Sequence, residues 1–600
     1  MQYFKDHIYN TWEFLVHSKA YFRDVLLMHG LMLFILIPLL SSSTKFVLAK
    51  GNINYISSDN LLTILTKHPV VTLLLLFILL FILLAIYFEF TFLLLSMYFI
   101  KKQQTVTLSQ LLKMTLLQLK KLRPSIFLFF LFYFLLVLPL GGMSFNSDLL
   151  AKVKIPAFIM DFIFANRVVI ITSFIIFYVL LLYLGVRLIF ALPEMILRDR
   201  PFKLAVKESF LATKKNLLTI VTRFIFIGGC TLAVTAVGFS LVIASQRLVE
   251  QFFPEYSLIS AVFAMTLLQF FLLLNSIFST VGIFFIIIDF MDDEGFLPAI
   301  PPWFDKDALP KRRFKNLQQT LMLVTALFFG IGVSLYNLDY LNASSKKVPI
   351  TTSHRGVSDA NGLQNTLPAL ENTSQDYHPN YVEMDVQLTK DQQFVVLHDF
   401  TLKGLTGINK KPGELTLAQL QDLAIGEGDY TGTLASFDEY LADAQTLDQK
   451  LLIEIKTQEK DVSELVTLFL NRYHDVIVQE DYLIQSLSYD VVEEIKKQAP
   501  ELLVGYILPF NVVGPPNTTA DFLTMEYSTI NRNFIEAAQK DGKKVFVWTP
   551  NSSDAIERMI FYGVDGIITD QMSILNQEVT SITDQTTYSD KLTHFVIGVG

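Results

Sequence analysis

The chain has 600 residues, of which 52% are hydrophobic and 52 are phenylalanine, and its formal net charge is -8. This length is too great for one ordinary domain, and the negative charge argues against a nucleic-acid partner. The single cysteine, Cys230, excludes an intrachain disulfide and a cysteine-based metal site.

The hydrophobic excess lies before about residue 340, in runs that are long enough to cross a bilayer. The first run lacks a small-residue cleavage site, so we expect it to remain as an anchor. We therefore predict that residues 1–340 form a helical transmembrane domain with about seven spans. The predicted spans are 25–42, 70–100, 124–141, 168–192, 217–244, 257–289 and 317–337.

Lysine and arginine are distributed unevenly between the two sets of loops. With the N-terminus inside, the inner segments hold 20 basic residues and the outer loops hold 7. The inner segments are 1–23, 101–123, 193–216 and 290–316, and the outer loops are 43–69, 142–167 and 245–256. Because basic loops stay on the cytoplasmic side, we predict a multi-pass protein of the cell membrane with a cytoplasmic N-terminus and an extracellular C-terminal half.

Two of the inner segments, 107–125 and 201–219, are basic and amphipathic, and each leads directly into a predicted span. Helices of this kind lie in the membrane interface against anionic lipid headgroups. Membrane lipid is therefore an expected partner of the first half of the chain.

From residue 348 the pattern changes to short strands that alternate with helices. Eight apolar runs rich in β-branched residues occur at 348–353, 380–386, 450–456, 482–486, 502–508, 521–527, 543–549 and 564–569. Eight strands alternating with helices predict an α/β domain of the (β/α)8 TIM-barrel type. We place this domain at 348–575, after a linker at 341–347 and before a C-terminal tail at 576–600.

Two carboxylates stand two residues apart on the second of these strands, so Glu383 and Asp385 leave it on the same face. A divalent cation would relieve their repulsion, because hard cations take oxygen ligands. The alternative is an amphipathic strand whose acids are solvated. A turn at 389–393 and a further β-branched run then form a hairpin that would bring His398 back beside the acids.

Five short motifs follow one another in this half of the chain. They are His354-Arg355-Gly356, Glu383-x-Asp385, His398-Asp399, Glu454-x-Lys456 and Trp548. In this order they resemble the motifs of the glycerophosphodiester phosphodiesterases, over roughly residues 350–572. The resemblance implies a TIM barrel that hydrolyses glycerophosphodiesters to an alcohol and glycerol phosphate.

The resemblance also implies a role for each motif residue. One Mg²⁺ or Ca²⁺ would be held by Glu383, Asp385 and Glu454. Phosphate oxygens would be bound by Arg355 and Lys456, and Trp548 would line the glycerol side of the substrate. The general acid and base would be His354 and His398, in an order that the sequence does not decide.

One departure from the family pattern concerns the segment after His-Arg-Gly, where the family usually has Glu-Asn-Thr. At that spacing this chain has Gln364-Asn365-Thr366. A later Glu371-Asn372-Thr373 leaves too little chain for the helix expected before Tyr381, so Gln364 and Glu371 are both left out of the site. Asp570, after the last strand, is interpreted as a cap for the following segment.

Two functions remain open. In the first, a membrane-anchored enzyme acts at the outer face on deacylated phospholipids, such as glycerophosphocholine, or on polyglycerolphosphate. In the second, the membrane half is a transporter or lipid-handling protein, and the barrel is its accessory or sensor domain. The span count favours the second function, since an anchor needs fewer spans, whereas the complete set of motifs favours the first.

Overall fold

The structure is a computed structural model that describes residues 23–53, 61–104, 106–120, 168–300, 330–341, 348–457, 461–509, 514–583 and 587–599. The chain divides into two compact units. The first consists mostly of the residues before 342, and the second contains the rest of the chain from Asn342 onward. Each unit is described by itself.

Five helices in the described part of the first unit are long and apolar enough to cross a membrane. They are Arg23–Lys50, Pro69–Lys101, Ile175–Leu197, Phe202–Phe252 and Pro254–Asp293. These helices coincide with five of the seven predicted spans. The predicted span 124–141 lies outside the described residues, and only the end of the predicted span 317–337 is described, in a helix at 330–341.

Several of these helices contain breaks or continue beyond the apolar run. The Ile175–Leu197 region belongs to two helical segments, Val168–Arg187 and Ala191–Leu197. Phe202–Phe252 is one continuous helix of 51 residues, in which the predicted amphipathic segment 201–219 continues directly into the span. At about 1.5 Å per residue it is roughly 75 Å long, well beyond the thickness of a bilayer. Shorter helices lie at Leu61–Lys67 and Leu108–Lys120.

The first unit has an aromatic core and a buried ion-pair cluster. The rings of Phe190 and Phe290 stack with their centroids 4.7 Å apart. Lys101 and Asp289 lie near the ends of two helices, and Arg223 lies inside a third. Asp289 Oδ1 is 2.8 Å from Lys101 Nζ, and Asp289 Oδ2 is 3.2 Å from Arg223 Nη1. A buried carboxylate is tolerated when cations neutralise it, so this cluster joins the three helices.

The second unit contains eleven strands among its described residues. They are β1 Ile350–Ser353, β2 Tyr381–Leu388, β3 Phe394–Val396, β4 Ala424–Glu427, β5 Tyr430–Thr433, β6 Leu451–Ile455, β7 Leu483–Ser486, β8 Val504–Leu508, β9 Phe522–Glu526, β10 Lys544–Trp548 and β11 Gly566–Thr569. Eight of them are parallel, in the order β1-β2-β6-β7-β8-β9-β10-β11. Because β1 also pairs with β11, the ring closes into a barrel. The predicted TIM barrel is confirmed.

Helices surround this barrel and begin at well-formed caps. The side chains of Ser436, Ser488, Asn531 and Ser552 each accept a hydrogen bond from a backbone N–H in the first turn of the helix that follows. The described helices are Leu367–Tyr377, Lys403–Thr406, Leu417–Gln421, Phe437–Thr446, Val462–Gln479, Tyr489–Gln498, Arg532–Lys540, Ser553–Tyr562, Met572–Thr583 and Tyr588–Val599. The helix Met572–Thr583 runs across the boundary that we predicted at residue 575.

Side chains alternate between the two faces of each barrel strand, so the domain has two separate apolar cores. Residues such as Leu523 and Met525 pack outward against the helices. A smaller cluster takes one side chain from each of six barrel strands and fills the lumen. Its buried members are Tyr381, Leu452, Leu483, Phe522, Phe546 and Ile568. Side chains two residues further along these strands therefore face the mouth of the barrel.

An insertion between the barrel strands β2 and β6 contains β3 and the β4–β5 hairpin. β3 runs antiparallel to the end of β2, with Val386 opposite Val396, which confirms the hairpin that returns the chain towards the acids. A separate apolar cluster that includes Leu397, Ile425 and Leu434 packs this insertion on Leu363, in the loop after β1.

Candidate active site

Three buried carboxylates meet where β2 and β6 end. The two strands are neighbours, with Asp385 opposite Glu454 in the register. One carboxylate oxygen from each of Glu383, Asp385 and Glu454 lies within 4.8 Å of the others. The predicted ligand residues are thus brought together at the carboxyl ends of parallel strands, where TIM barrels carry their sites.

The pKa values of two carboxylates in this acidic cluster are shifted in opposite directions. Burial, together with repulsion from Asp385 and Glu454, raises the pKa of Glu383 well above its ordinary value. The backbone N–H of Arg355 donates to Glu383 Oε2 at 2.8 Å and opposes this rise. Burial also acts to raise the pKa of Asp385, but the charges of Lys456, His398 and Arg355 outweigh burial and lower it.

The acidic cluster fits a hard divalent cation. Asp385 Oδ1 is buried and accepts no hydrogen bond from the described part of the chain. Its nearest cationic atom is Lys456 Nζ, at 3.5 Å. A buried acceptor normally has a partner, and a set of three carboxylates suits Mg²⁺ or Ca²⁺ far better than zinc.

Two basic side chains border the cluster. Lys456 is buried, and its Nζ donates to Glu454 Oε1 at 3.0 Å. Burial acts to lower the pKa of Lys456, but Glu454 and Asp385 outweigh burial and raise it. The Nε of Arg355 lies 4.0 Å from Asp385 Oδ2. The site therefore has two positively charged side chains beside the carboxylates, which suits an anionic ligand.

The backbone around Arg355 has a conformation that few residues adopt. Arg355 has φ +52°, and Gly356 follows with φ +70°. A Cβ on Gly356 would lie 2.8 Å from the hydroxyl oxygen of Tyr440. Glycine is thus required at this position by both conformation and space, which explains the last residue of the His-Arg-Gly motif.

Each histidine of the site is paired with an aspartate through the same ring nitrogen. His354 Nδ1 lies 2.7 Å from Asp570 Oδ1, and His398 Nδ1 lies 2.9 Å from Asp399 Oδ1. An aspartate at Nδ1 fixes the tautomer and leaves Nε2 available for proton exchange. Burial acts to raise the pKa of Asp570, but the charge and hydrogen bond of His354 lower it. The hydrogen bond from His398 likewise lowers the pKa of Asp399.

The interpretation of Asp570 as a cap is wrong. The following helix, Met572–Thr583, is capped by the loop after β1, since Ser358 Oγ accepts from Met572 N and Asp359 Oδ2 accepts from Ser573 N. The carboxylate of Asp570 binds His354 and also accepts from Asn551 Nδ2 at 2.7 Å. The pairing of Asp570 with His354 could have been predicted from the barrel fold, because closure of the ring places the residue after β11 beside the residue after β1.

Asn365 is a second residue that the sequence analysis did not assign. Its Nδ2 donates to Asp385 Oδ2 at 2.9 Å, and its Oδ1 accepts from the backbone N of Asp385 at 3.2 Å. The helix expected before β2 is Leu367–Tyr377, and it contains Glu371. The segment Gln364-Asn365-Thr366 therefore has the place of the family's Glu-Asn-Thr.

Gln364 connects the site to the β4–β5 hairpin. Arg355 Nη1 donates to Gln364 Oε1 at 2.6 Å, and Gln364 Nε2 donates to Glu427 Oε2 at 2.6 Å. The Tyr430 hydroxyl of the same hairpin donates to the carbonyl oxygen of Ala360. The hairpin is thereby fixed to the loop that carries Arg355.

Trp548 lies apart from the other predicted site residues. It ends β10, which β11 and β1 separate from β2, and it packs against the lumen cluster. It belongs to a different wall of the same barrel mouth.

Both halves of the chain match known protein families. Residues 8–335 match the family described as the membrane domain of glycerophosphoryl diester phosphodiesterase. Residues 354–574 match the glycerophosphoryl diester phosphodiesterase family. The chain belongs to the glycerophosphoryl diester phosphodiesterase family. It is therefore an enzyme, a phosphodiesterase with a membrane domain, as the order of motifs predicted.

Individual relatives are similar to this phosphodiesterase over its second half. A glycerophosphodiester phosphodiesterase of Caldanaerobacter subterraneus is 30% identical over 240 residues, which are 38% of this chain and 96% of the relative. A putative one of Bacillus subtilis is 28% identical over 36% of this chain and 93% of its own length. A solved phosphodiesterase of Oleispira antarctica, in complex with the product sn-glycerol-3-phosphate, is 23% identical over 40% of this chain and 98% of its own, with a TM-score of 0.34.

Proposed function

We propose that this phosphodiesterase hydrolyses glycerophosphodiesters to an alcohol and glycerol phosphate, with one divalent cation and two histidines, at the outer face of the cell membrane. The observation that carries the proposal is the convergence at one barrel mouth of three buried carboxylates, two cationic side chains and two His–Asp pairs. A phosphodiester needs such a set, because charge builds up on its oxygens during attack.

The cation would be Mg²⁺ or Ca²⁺ held by Glu383, Asp385 and Glu454. When bound, such an ion neutralises charge on a phosphate oxygen and polarises the phosphate group. Asp385 Oδ1 supports this assignment, because it is buried and accepts no hydrogen bond from the described residues. Asn365 would orient Asp385 as a ligand, since it binds both the side chain and the backbone of that residue.

Arg355 and Lys456 would bind the remaining phosphate oxygens. The planar guanidinium of Arg355 suits a bidentate contact with phosphate, whereas the ammonium of Lys456 acts as a point charge. Lys456 is buried, so its charge is little screened by water. The two groups balance the carboxylates and make the site attractive to an anion.

His354 and His398 would exchange the protons of the reaction through Nε2. One takes a proton from the attacking group, which is water or a glycerol hydroxyl of the substrate itself, and the other gives a proton to the leaving alkoxide. Attack by the glycerol hydroxyl would form a cyclic phosphate, which water then opens. Asp570 and Asp399 orient the two rings and stabilise their protonated forms.

Trp548 would line the glycerol side of the substrate by apolar contact. The substrates that suit the site are deacylated phospholipids, such as glycerophosphocholine, and polyglycerolphosphate. The excess of basic residues in alternate loops supports an extracellular barrel.

The alternative, a transporter or lipid-handling protein with an accessory barrel, draws on the five membrane-length helices of the first unit. The full-length protein in detergent should release glycerol phosphate from glycerophosphocholine or polyglycerolphosphate. The enzymatic proposal fails if the protein hydrolyses neither diester but still binds them after both histidines are replaced by alanine. The barrel would then be an accessory domain.

A further inference from the structure

A fourth buried carboxylate, Glu526, faces the barrel mouth outside the motif set. It is the last residue of β9, two positions beyond Thr524 and four beyond Phe522, a member of the lumen cluster. Leu523 and Met525 point the other way, into the outer core. Because strand side chains alternate, Glu526 projects into the lumen at the carboxyl end of the strand. Its side chain is nevertheless buried, with 1% exposure.

The two oxygens of this carboxylate have different surroundings. Oε2 accepts three hydrogen bonds, from Ser528 Oγ at 2.7 Å, Ser528 N at 3.1 Å and Thr529 N at 3.0 Å. These bonds fix the side chain in one orientation. Oε1 is buried and accepts no hydrogen bond from any residue that the structure describes. A buried acceptor without a donor is unfavourable, so this oxygen points to a donor that arrives with a ligand.

The wall that carries Glu526 lies across the barrel from the acidic cluster. β9 is four strands from β2 around the eight-stranded ring. Glu526 is directly opposite Trp548 in the register of β9 and β10, and Trp548 also packs towards the lumen. A phosphodiester bound near β2 and β6 would therefore extend one of its two substituents towards a carboxylate oxygen and an indole ring.

We propose that Glu526 Oε1 accepts hydrogen bonds from the free hydroxyls of the substrate's glycerol unit, while the carbon atoms of the glycerol pack against the ring of Trp548. The inference rests on the proposed function and adds a specificity determinant to it. An anionic oxygen repels the phosphate itself, so its ligand is the part of the substrate that carries hydroxyl donors.

This arrangement predicts a preference for deacylated substrates. An acyl chain on the glycerol replaces a hydroxyl with an ester, which has no hydrogen to donate. Oε1 would then remain buried and unpaired, and a site built around a substrate hydroxyl discriminates strongly against an analogue that lacks it. Glycerophosphocholine should thus be hydrolysed in preference to lysophosphatidylcholine.

The substitution Glu526→Gln tests the inference with little change of shape. The amide oxygen can still accept from Ser528 and Thr529, while an NH₂ group replaces Oε1. We expect kcat/KM of the full-length protein for glycerophosphocholine to fall roughly 10- to 100-fold, the effect of losing a hydrogen bond to a charged acceptor. The rate on bis(p-nitrophenyl) phosphate, a diester without glycerol, should not change.

A matched control is Ser528→Ala, which removes one donor to Oε2 and keeps Oε1. It should leave the preference for glycerophosphocholine over bis(p-nitrophenyl) phosphate as it is in the unsubstituted protein. Inhibition by glycerol 3-phosphate should weaken in Glu526→Gln, whereas inhibition by inorganic phosphate should not.

Two results would overturn the inference. An equal loss on glycerophosphocholine and bis(p-nitrophenyl) phosphate would mean that Glu526 only supports the fold. A loss on glycerophosphocholine that is absent with glycerophosphoglycerol would mean that Glu526 binds the cationic head group instead of the glycerol. Failure of the proposed function is a separate result, in which the unsubstituted protein hydrolyses no glycerophosphodiester at all.

Discussion

His354 Nδ1 lies 2.7 Å from Asp570 Oδ1, although 216 positions separate the two residues in the sequence. The contact exists because β1 pairs with β11 and closes the barrel, so that the ends of the first and last strands are neighbours. Asn551 Nδ2 donates to the other oxygen of Asp570 and fixes the carboxylate in place. One catalytic candidate is thus oriented by the last strand of the domain.

The substitution Asp570→Asn should lower kcat by about 10²-fold or more, because the imidazole of His354 loses the partner that fixes its tautomer and stabilises its charged form. Asp359→Asn is the matched control. It is the same chemical change in an aspartate that caps the helix Met572–Thr583 and has no described contact with His354. The control should lower the melting temperature and leave kcat unchanged. Equal kcat values for Asp570→Asn and the unsubstituted protein would contradict the pairing.

The pH profile of kcat/KM should be bell-shaped, since His354 and His398 must hold opposite protonation states. The lowered pKa values of Asp570 and Asp399 keep both carboxylates ionised across the range in which imidazole titrates. Any stability that these two aspartates supply is present above their unfolded pKa and is lost only as the pH falls through their lowered folded values. The acid limb of the profile therefore does not come from Asp570 or Asp399.

Alanine at His354 or His398 should lower kcat/KM by about 10²- to 10⁴-fold on a natural diester. A substrate with a nitrophenyl leaving group needs no proton donor, so it should restore the rate only of the variant that lost the general acid. Assays with both substrates identify that residue. Near-normal rates for both variants on glycerophosphocholine would remove the basis of the catalytic assignment.

Removal of divalent cations by EDTA should abolish hydrolysis, and Mg²⁺ or Ca²⁺ should restore it. Glu383→Gln or Asp385→Asn should have the effect of chelation, because each removes a charged ligand from the cluster. The exposed residue Glu464 provides the control, as Glu464→Gln should retain both activity and the stabilisation by metal. Calorimetry with and without the ion reports binding independently of turnover. Full activity after dialysis against EDTA would refute the metal assignment.

The contact between Gln364 and Glu427 can be tested by exchanging the charges. Gln364→Glu keeps an acceptor for Arg355 but places a second carboxylate against Glu427. It should loosen the β4–β5 hairpin and raise KM about 10-fold, since the hairpin then no longer holds residue 364 in place against Arg355. The double variant with Glu427→Gln should recover the original KM, because one carboxylate and one amide again face each other. A double variant no better than Gln364→Glu would show that the hairpin does not position Arg355.

Protease added to intact cells should remove the region after about residue 345, as the bias of basic residues predicts. The reference is the same digestion after membrane rupture, which also exposes the inner loops. Protection of the barrel in intact cells would mean that the span count is wrong by one.

Periodicity was sufficient to predict all eight barrel strands, because a buried parallel strand is a short apolar run that local sequence can reveal. The placement of the motif residues was also predictable, since each one lies within or shortly after such a run. Asp570 and Asn365 were not assigned, because their roles arise from contacts between segments that lie far apart in the sequence. Glu526 escaped for a similar reason, as only the register with β10 places it beside Trp548.

The closed ring of strands has a consequence for the order of synthesis. A nascent chain that has emerged as far as β10 already contains all three carboxylates of the cluster and both histidines. His354 still lacks its aspartate, however, and β1 still lacks its second neighbour. Since β11 and Asp570 leave the ribosome last among the site elements, the proposed proton-transfer apparatus is completed only after the membrane helices and the rest of the barrel have been made.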